Sequence, residues 1–163
     1  MADDVSGWRQ SGALYVWRYF KPVSSRAGWD FSADPTGCGS VADLIERMTS
    51  AGVACHRTLS LGRVSAGIWG VPNFGPPKAD RFENLRIEYV PTTRDLRLLE
   101  NDGRLELTLG AARADVLKAA FVDFGVGDGD FGIATSDEKY PEPWMFWWMP
   151  YPHGHYSTEG RVL

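Results

Sequence analysis

LRIEYVPTTRDLRLLENDGRLELTL, Leu85 to Leu109, is the stretch whose alternation decides the fold class. Leu85, Ile87 and Tyr89 alternate with Arg86 and Glu88. Leu105, Leu107 and Leu109 alternate with Arg104, Glu106 and Thr108. A period of two with one apolar and one polar face is the mark of strands that cover a core on one side and meet water on the other. Asp102-Gly103 between the second and third segments is a two-residue hairpin signal, because a type I′ turn needs positive φ at both central positions. A three-strand meander is therefore expected. Its polar face carries Arg86, Glu88, Arg97, Glu100, Arg104 and Glu106, read as cross-strand pairs on a wet surface rather than a binding stripe.

Working outward, a helix follows from Ala111 or Ala112 to Phe121 or slightly beyond, with Val116, Leu117, Ala120, Phe121 and Phe124 on one face and Gly125 as its end. Upstream, Val53–Val64 reads as a strand with weaker alternation. Before it, Ser40 stands as N-cap of a helix to about Ala51, with Asp43 reaching back. Val41, Leu44, Ile45 and Met48 form its apolar stripe, and Gly52 is suited to its C-terminus. Ala13–Lys21 is aromatic and β-branched, a mostly buried strand. Pro22–Gly39 reads as a long loop anchored by Trp29 and Phe31, and the segment SAGIWGVPNFGPPK as another, stapled by Trp69 and Phe74. Downstream, Asp130–Thr135 and Trp144–Met149 are short strands. The expected architecture is a single α+β domain over 1–163: a mainly antiparallel sheet of about five to seven strands with two helices packed on one face. Residues 1–11 and 153–163 are expected as flexible ends.

A chain of 163 residues is long enough to bury about 70% of its unfolded surface. No run approaches the roughly 20 apolar residues of a membrane span. The start MADDVSGWRQ is acidic and polar where a signal peptide is basic then apolar, so a cytoplasmic location away from membranes is expected. Cys38 and Cys55 have no metal-site spacing and are read as reduced thiols. The net charge of -4 is unevenly placed. Residues 1–82 hold nine Lys or Arg against seven Asp or Glu, residues 83–163 eight against fourteen. Within 123–142, Asp123, Asp128, Asp130, Asp137, Glu138 and Glu142 face only Lys139. That balance repels phosphate backbones and attracts a basic surface, which argues against direct nucleic-acid binding.

Motifs that could carry chemistry fail on context. Gly125, Gly127 and Gly129 alternate, but a dinucleotide loop places its glycines between a strand and a helix N-terminus, whereas these follow a helix. Asp128-Gly129-Asp130 resembles the opening of a calcium loop, yet Gly132, Ile133 and Lys139 stand where a ligand, the turn glycine and a bidentate Glu are needed. His153-Gly154-His155 could ligate zinc with a third donor such as Glu159, but lies among Pro, Gly and Ser near the end and reads as a surface tail. Cys55 and His56 are adjacent on a strand and point to opposite faces, so they cannot act together; His153 or His155 would have to serve Cys55. No catalytic residue, metal or cofactor is assigned, and the reading leans away from an enzyme.

The densest aromatic run is PEPWMFWWMPYP. Trp144, Phe146 and Trp148 project to one side of a strand and Met145, Trp147 and Met149 to the other, which a central strand would satisfy. Asp130-Phe131-Gly132-Ile133 together with Pro143-Trp144-Met145-Phe146-Trp147-Trp148 resembles the carboxy-terminal half of small bacterial proteins of polymorphic toxin systems, over about 50 residues. The resemblance implies a non-catalytic cytoplasmic immunity protein that covers a toxin surface. The expected contact set is Asp128, Asp130, Asp137, Glu138, Glu142 and Trp144, facing a protein partner such as a basic toxin domain. The alternative is a small-molecule-binding domain with Trp17, Trp29, Trp69 and Trp147 around an apolar pocket; a cryptic hydrolase ranks below it.

Overall fold

The computed structural model describes residues 2–19, 28–64, 82–128, 130–139 and 141–148. Two four-stranded mixed sheets share one core with the helices. In chain order the elements are α1 (Ala2–Ser6), β1 (Leu14–Trp17), β2 (Trp29–Ala33), α2 (Pro35–Ala51), β3 (Cys55–Ser60), β4 (Asn84–Tyr89), β5 (Arg97–Asn101), β6 (Arg104–Leu109), α3 (Ala111–Gly125), β7 (Phe131–Ile133) and β8 (Trp144–Phe146). The α+β class is as read, with eight strands in two sheets among the described residues in place of about five to seven in one. No helix among the described residues is long and apolar enough to cross a membrane.

The second sheet has the order β3-β4-β6-β5, so the expected meander is corrected. β6 lies between β4 and β5, parallel to the first and antiparallel to the second. Composition explains the order. In parallel register Leu85 faces Leu105, Ile87 faces Leu107 and Tyr89 faces Leu109, pairing the two most apolar strands in the middle. β5 buries only Leu98 and takes the edge. The connector holds the exits of β4 and β6 together, because Val90 N–H donates to Leu109 O and Ala111 N–H to Pro91 O. The turn at Asp102 (φ 52°) and Gly103 (φ 76°) is the left-handed pair a two-residue hairpin requires. Charged residues on the open face pair mainly along their own strands: Arg104 with Glu106 at 2.8 Å, Arg86 with Glu88 at 4.0 Å. Glu100, expected on that face, instead shares the side of Leu98 and reaches Arg18 beyond β1.

The first sheet, β1-β2-β8-β7, was only partly visible in the pattern. Trp29 and Phe31, expected as anchors of a loop, are strand residues, and β8 runs parallel to β2. Its core side is an aromatic ladder. Phe31 stacks on Phe146 at 4.9 Å, Phe146 on Phe131 at 5.6 Å, and Phe121 of α3 meets Phe146 edge-on at 5.4 Å. Such pairs add about 0.5–1.5 kcal/mol each beyond their buried area.

α2 begins at Pro35, five residues before the expected Ser40. The N-cap is Asp34, whose Oδ1 accepts from Gly37 N–H at 2.6 Å and from Ala13 N–H at 3.0 Å, joining the start of β1 to the start of the helix. A Cβ on Gly37 would lie 2.1 Å from Ala13 O, so only glycine fits there. α3 packs on α2 through another glycine: a Cβ on Gly125 would sit 2.8 Å from the Cys38 Cβ. Gly125 therefore brings the helices together, and Gly127, at φ 94°, ends α3. Val116, expected on the apolar face of α3, is 42% exposed, and Ala114 takes the buried position. The N-terminal segment puts Val5 and Trp8 into the core, with Trp8 Nε1 donating to Ser40 O at 2.9 Å.

Candidate functional site

α3 ends in a Schellman-type turn: Gly127 N–H donates to Phe124 O, and Asp128 N–H to Asp123 O at 2.9 Å. This folds Asp128 back beside the last helical turn. The indole of Trp148 lies over Gly127, 3.4 Å from where a Cβ would stand. It is held there by its own backbone, whose N–H donates to Asp130 Oδ1 at 2.6 Å. Val122 and Val126, one helical turn apart at the end of α3, are exposed, at 45% and 74%. The end of α3 thus carries exposed apolar side chains in the same segment as the carboxylates of Asp123, Asp128 and Asp130, all exposed.

Placement of these charges opposes local stability. Asp123 lies in the last turn of α3 and Asp128 just beyond, with no basic residue in that turn. There the helix dipole presents its negative end, and each carboxylate costs about 0.3–1 kcal/mol. Carboxylates kept in such a place strengthen an outward negative field.

The rest of the expected contact set is divided. Asp137 is engaged within the chain: its carboxylate accepts from Arg94 at 3.1 Å and from Arg113 at the start of α3. The Arg94 hydrogen bond, then the Arg113 charge, hold its carboxyl below the usual range. Glu138 is exposed, its N–H on Ser136 Oγ at 3.2 Å. Glu142 is exposed, and its carbonyl accepts from Thr135 Oγ1. Trp144 is buried at 3% on the core side of β8 and presents nothing to a partner. Trp148, in phase with it, becomes the exposed aromatic because β8 stops at Phe146. It was not in the expected contact set, although it lies beside the acidic segment that set was drawn from.

The alternative set separates across the first sheet. Trp17 and Trp147 join Tyr15 and Tyr19 in a small cluster on the side facing away from the main core. Trp29 is on the other side, edge-on to Phe82 and beneath the Arg18 guanidinium at 4.3 Å. Trp69 lies outside the described residues. Asp30 stands directly across from Trp17. It is 3% exposed and accepts from Trp147 Nε1 at 2.8 Å. Burial pushes its carboxyl up to about 7, against the lowering effect of the Trp147 bond. Trp17 Nε1 is buried with no hydrogen-bond partner among the described residues. A separate cleft of about 350 Å³, lined by Gln10–Ala13 and Ser60–Gly62, contains none of the four tryptophans.

For nucleophilic chemistry, burial raises the Cys55 thiol and, with the charge of Asp34, pushes Cys38 to about 12, the opposite of an activated thiolate. His153 and His155 lie outside the described residues. Among the described residues no cluster of three His, Cys, Asp or Glu could hold a metal ion. Comparison with family models, curated proteins and solved structures finds no match to this chain.

Proposed function

We propose that the chain is a non-catalytic cytoplasmic binding protein of the immunity type, and that the end of α3 covers a basic site on a bacterial toxin domain. The observation that carries this reading is Trp148 lying over Gly127 and bonded through its N–H to Asp130, on a helix end that also exposes Val122, Val126, Asp123 and Asp128. A rigid aromatic anchor within a charged rim is the composition of a binding hot spot. The carboxylates at the negative end of α3 steer a cationic partner and make association salt-dependent.

Co-expression with the toxin-like product of an adjoining reading frame tests it. The chain should protect the host and co-elute with that product, more weakly as salt rises. Trp148→Ala and Asp128→Lys should each weaken the complex by about tenfold or more with the fold retained by circular dichroism. Absence of both protection and a complex with the wild-type chain would refute the reading.

A further inference from the structure

The second sheet treats its two edges differently. At β3 the outward backbone groups belong to His56, Thr58 and Ser60, since Leu61 N–H bonds inward to Glu83 O in the β4 ladder. There Gln10 acts as a surrogate strand: its Nε2 donates to Ser60 O and its Oε1 accepts from Ser60 N–H, both at 2.8 Å. At β5 the two-residue turn makes Asn101, Leu99 and Arg97 the residues bonded to β6, so Leu98 and Glu100 direct their N–H and C=O outward. Among the described residues no turn or loop hydrogen bond reaches those groups. The open length is bounded. Leu96 N–H is taken by Thr135 O at 2.8 Å on one side, and the hairpin turn begins at Asp102 on the other. Both limits are equally far from Leu99, which is 61% exposed on the open face.

From this symmetry we propose that β5 is a self-association edge, pairing antiparallel with β5 of a second copy about a twofold axis through Leu99 to give a continuous eight-stranded sheet. Only this register sets each outward N–H of Leu98 and Glu100 opposite a carbonyl of the other copy. Leu99 meets Leu99 in a non-hydrogen-bonded pair, where side chains approach most closely. Arg97 faces Asn101 on the open face and Glu100 faces Leu98 on the other, so no charge meets its own sign. A different partner strand would have to match the same five-residue window, whereas the chain matches it to itself. The contact is small and the dimer weak, in the class below roughly 1,200 Å².

Site-directed disulfides read the register, in a Cys55→Ser background that removes the partly exposed native thiol. A non-hydrogen-bonded pair has the Cα separation a disulfide accepts. Leu99→Cys should therefore form a covalent dimer under mild oxidation where Val116→Cys, at another exposed position, remains monomeric. Arg97→Cys mixed with Asn101→Cys should cross-link several-fold more than either alone. In sedimentation, the wild-type chain should shift toward dimer as it approaches about 1 mM and Leu99→Lys should not. Equal cross-linking of Leu99→Cys and Val116→Cys, no gain in the mixed pair, or a wild-type chain monomeric throughout would overturn the proposal.

Discussion

In the sheet of β3, β4, β6 and β5, polar side chains occupy an open face and every second residue of the central strands β4 and β6 is buried; in the sheet of β1, β2, β8 and β7, β1 and β2 are buried at every position. The first arrangement writes itself into sequence as alternation. The second leaves no such record, because residues on both sides are drawn from the same aromatic and small set, and its polar members, Asp30 and Ser32, are hidden inside. Burial on both sides also makes the two sheets respond differently to substitution.

The largest effect is expected where the aromatic ladder crosses the sheet. Phe146→Ala should cost about 3–5 kcal/mol in urea denaturation, because Phe146 touches Phe31, Phe121, Phe124 and Phe131 together. A loss below about 1 kcal/mol would mean that the ladder is not a packed core. Next comes Asp30. Its folded-state carboxyl is raised from 3.8 to about 7, so the folded chain binds a proton that the unfolded chain has released. The contribution of this group to stability should therefore be fully present below about pH 4, fall as pH rises toward 7 and level off above, by at most about 4 kcal/mol. Asp30→Asn should flatten that slope in denaturation series across pH; an unchanged slope would assign it elsewhere. Smaller and opposite in sign, Asp128→Lys should raise the melting stability by about 0.3–1 kcal/mol by placing a cation at the negative end of α3, while weakening the proposed complex. On the open face, Glu88→Gln should change denaturation free energy by no more than about 0.5 kcal/mol.

The same contrast governs what was legible. The hairpin at Asp102-Gly103, the inward leucines of β4 and β6 and the extent of α3 all followed from local pattern. Strand order did not, since alternation says which face is buried but not which neighbour supplies the hydrogen bonds. β2 was hidden by Asp30 and Ser32, whose partners, Trp147 Nε1 and Trp147 O, lie more than a hundred residues along the chain. The start of α2 was hidden by Gly37-Cys38-Gly39, which reads as loop, although Asp34 and Pro35 are an N-cap and a favoured first residue. At the candidate site, charge drew attention to the segment after α3, but which tryptophan is exposed depended on where β8 ends. The engagement of Asp137 by Arg94 and Arg113 depended on the folded positions of a loop and a helix start.

The contact between Cys38 and Gly125 has a practical consequence. With the thiol buried at 2%, pushed up to about 12, and a glycine pressed against its Cβ, Cys38 has no route to an electrophile while α2 and α3 stay together. A thiol reagent applied to the native chain should therefore label Cys55 first. The delayed modification of Cys38 then becomes an intrinsic clock for the parting of the two helices, readable by mass without adding any probe to the protein.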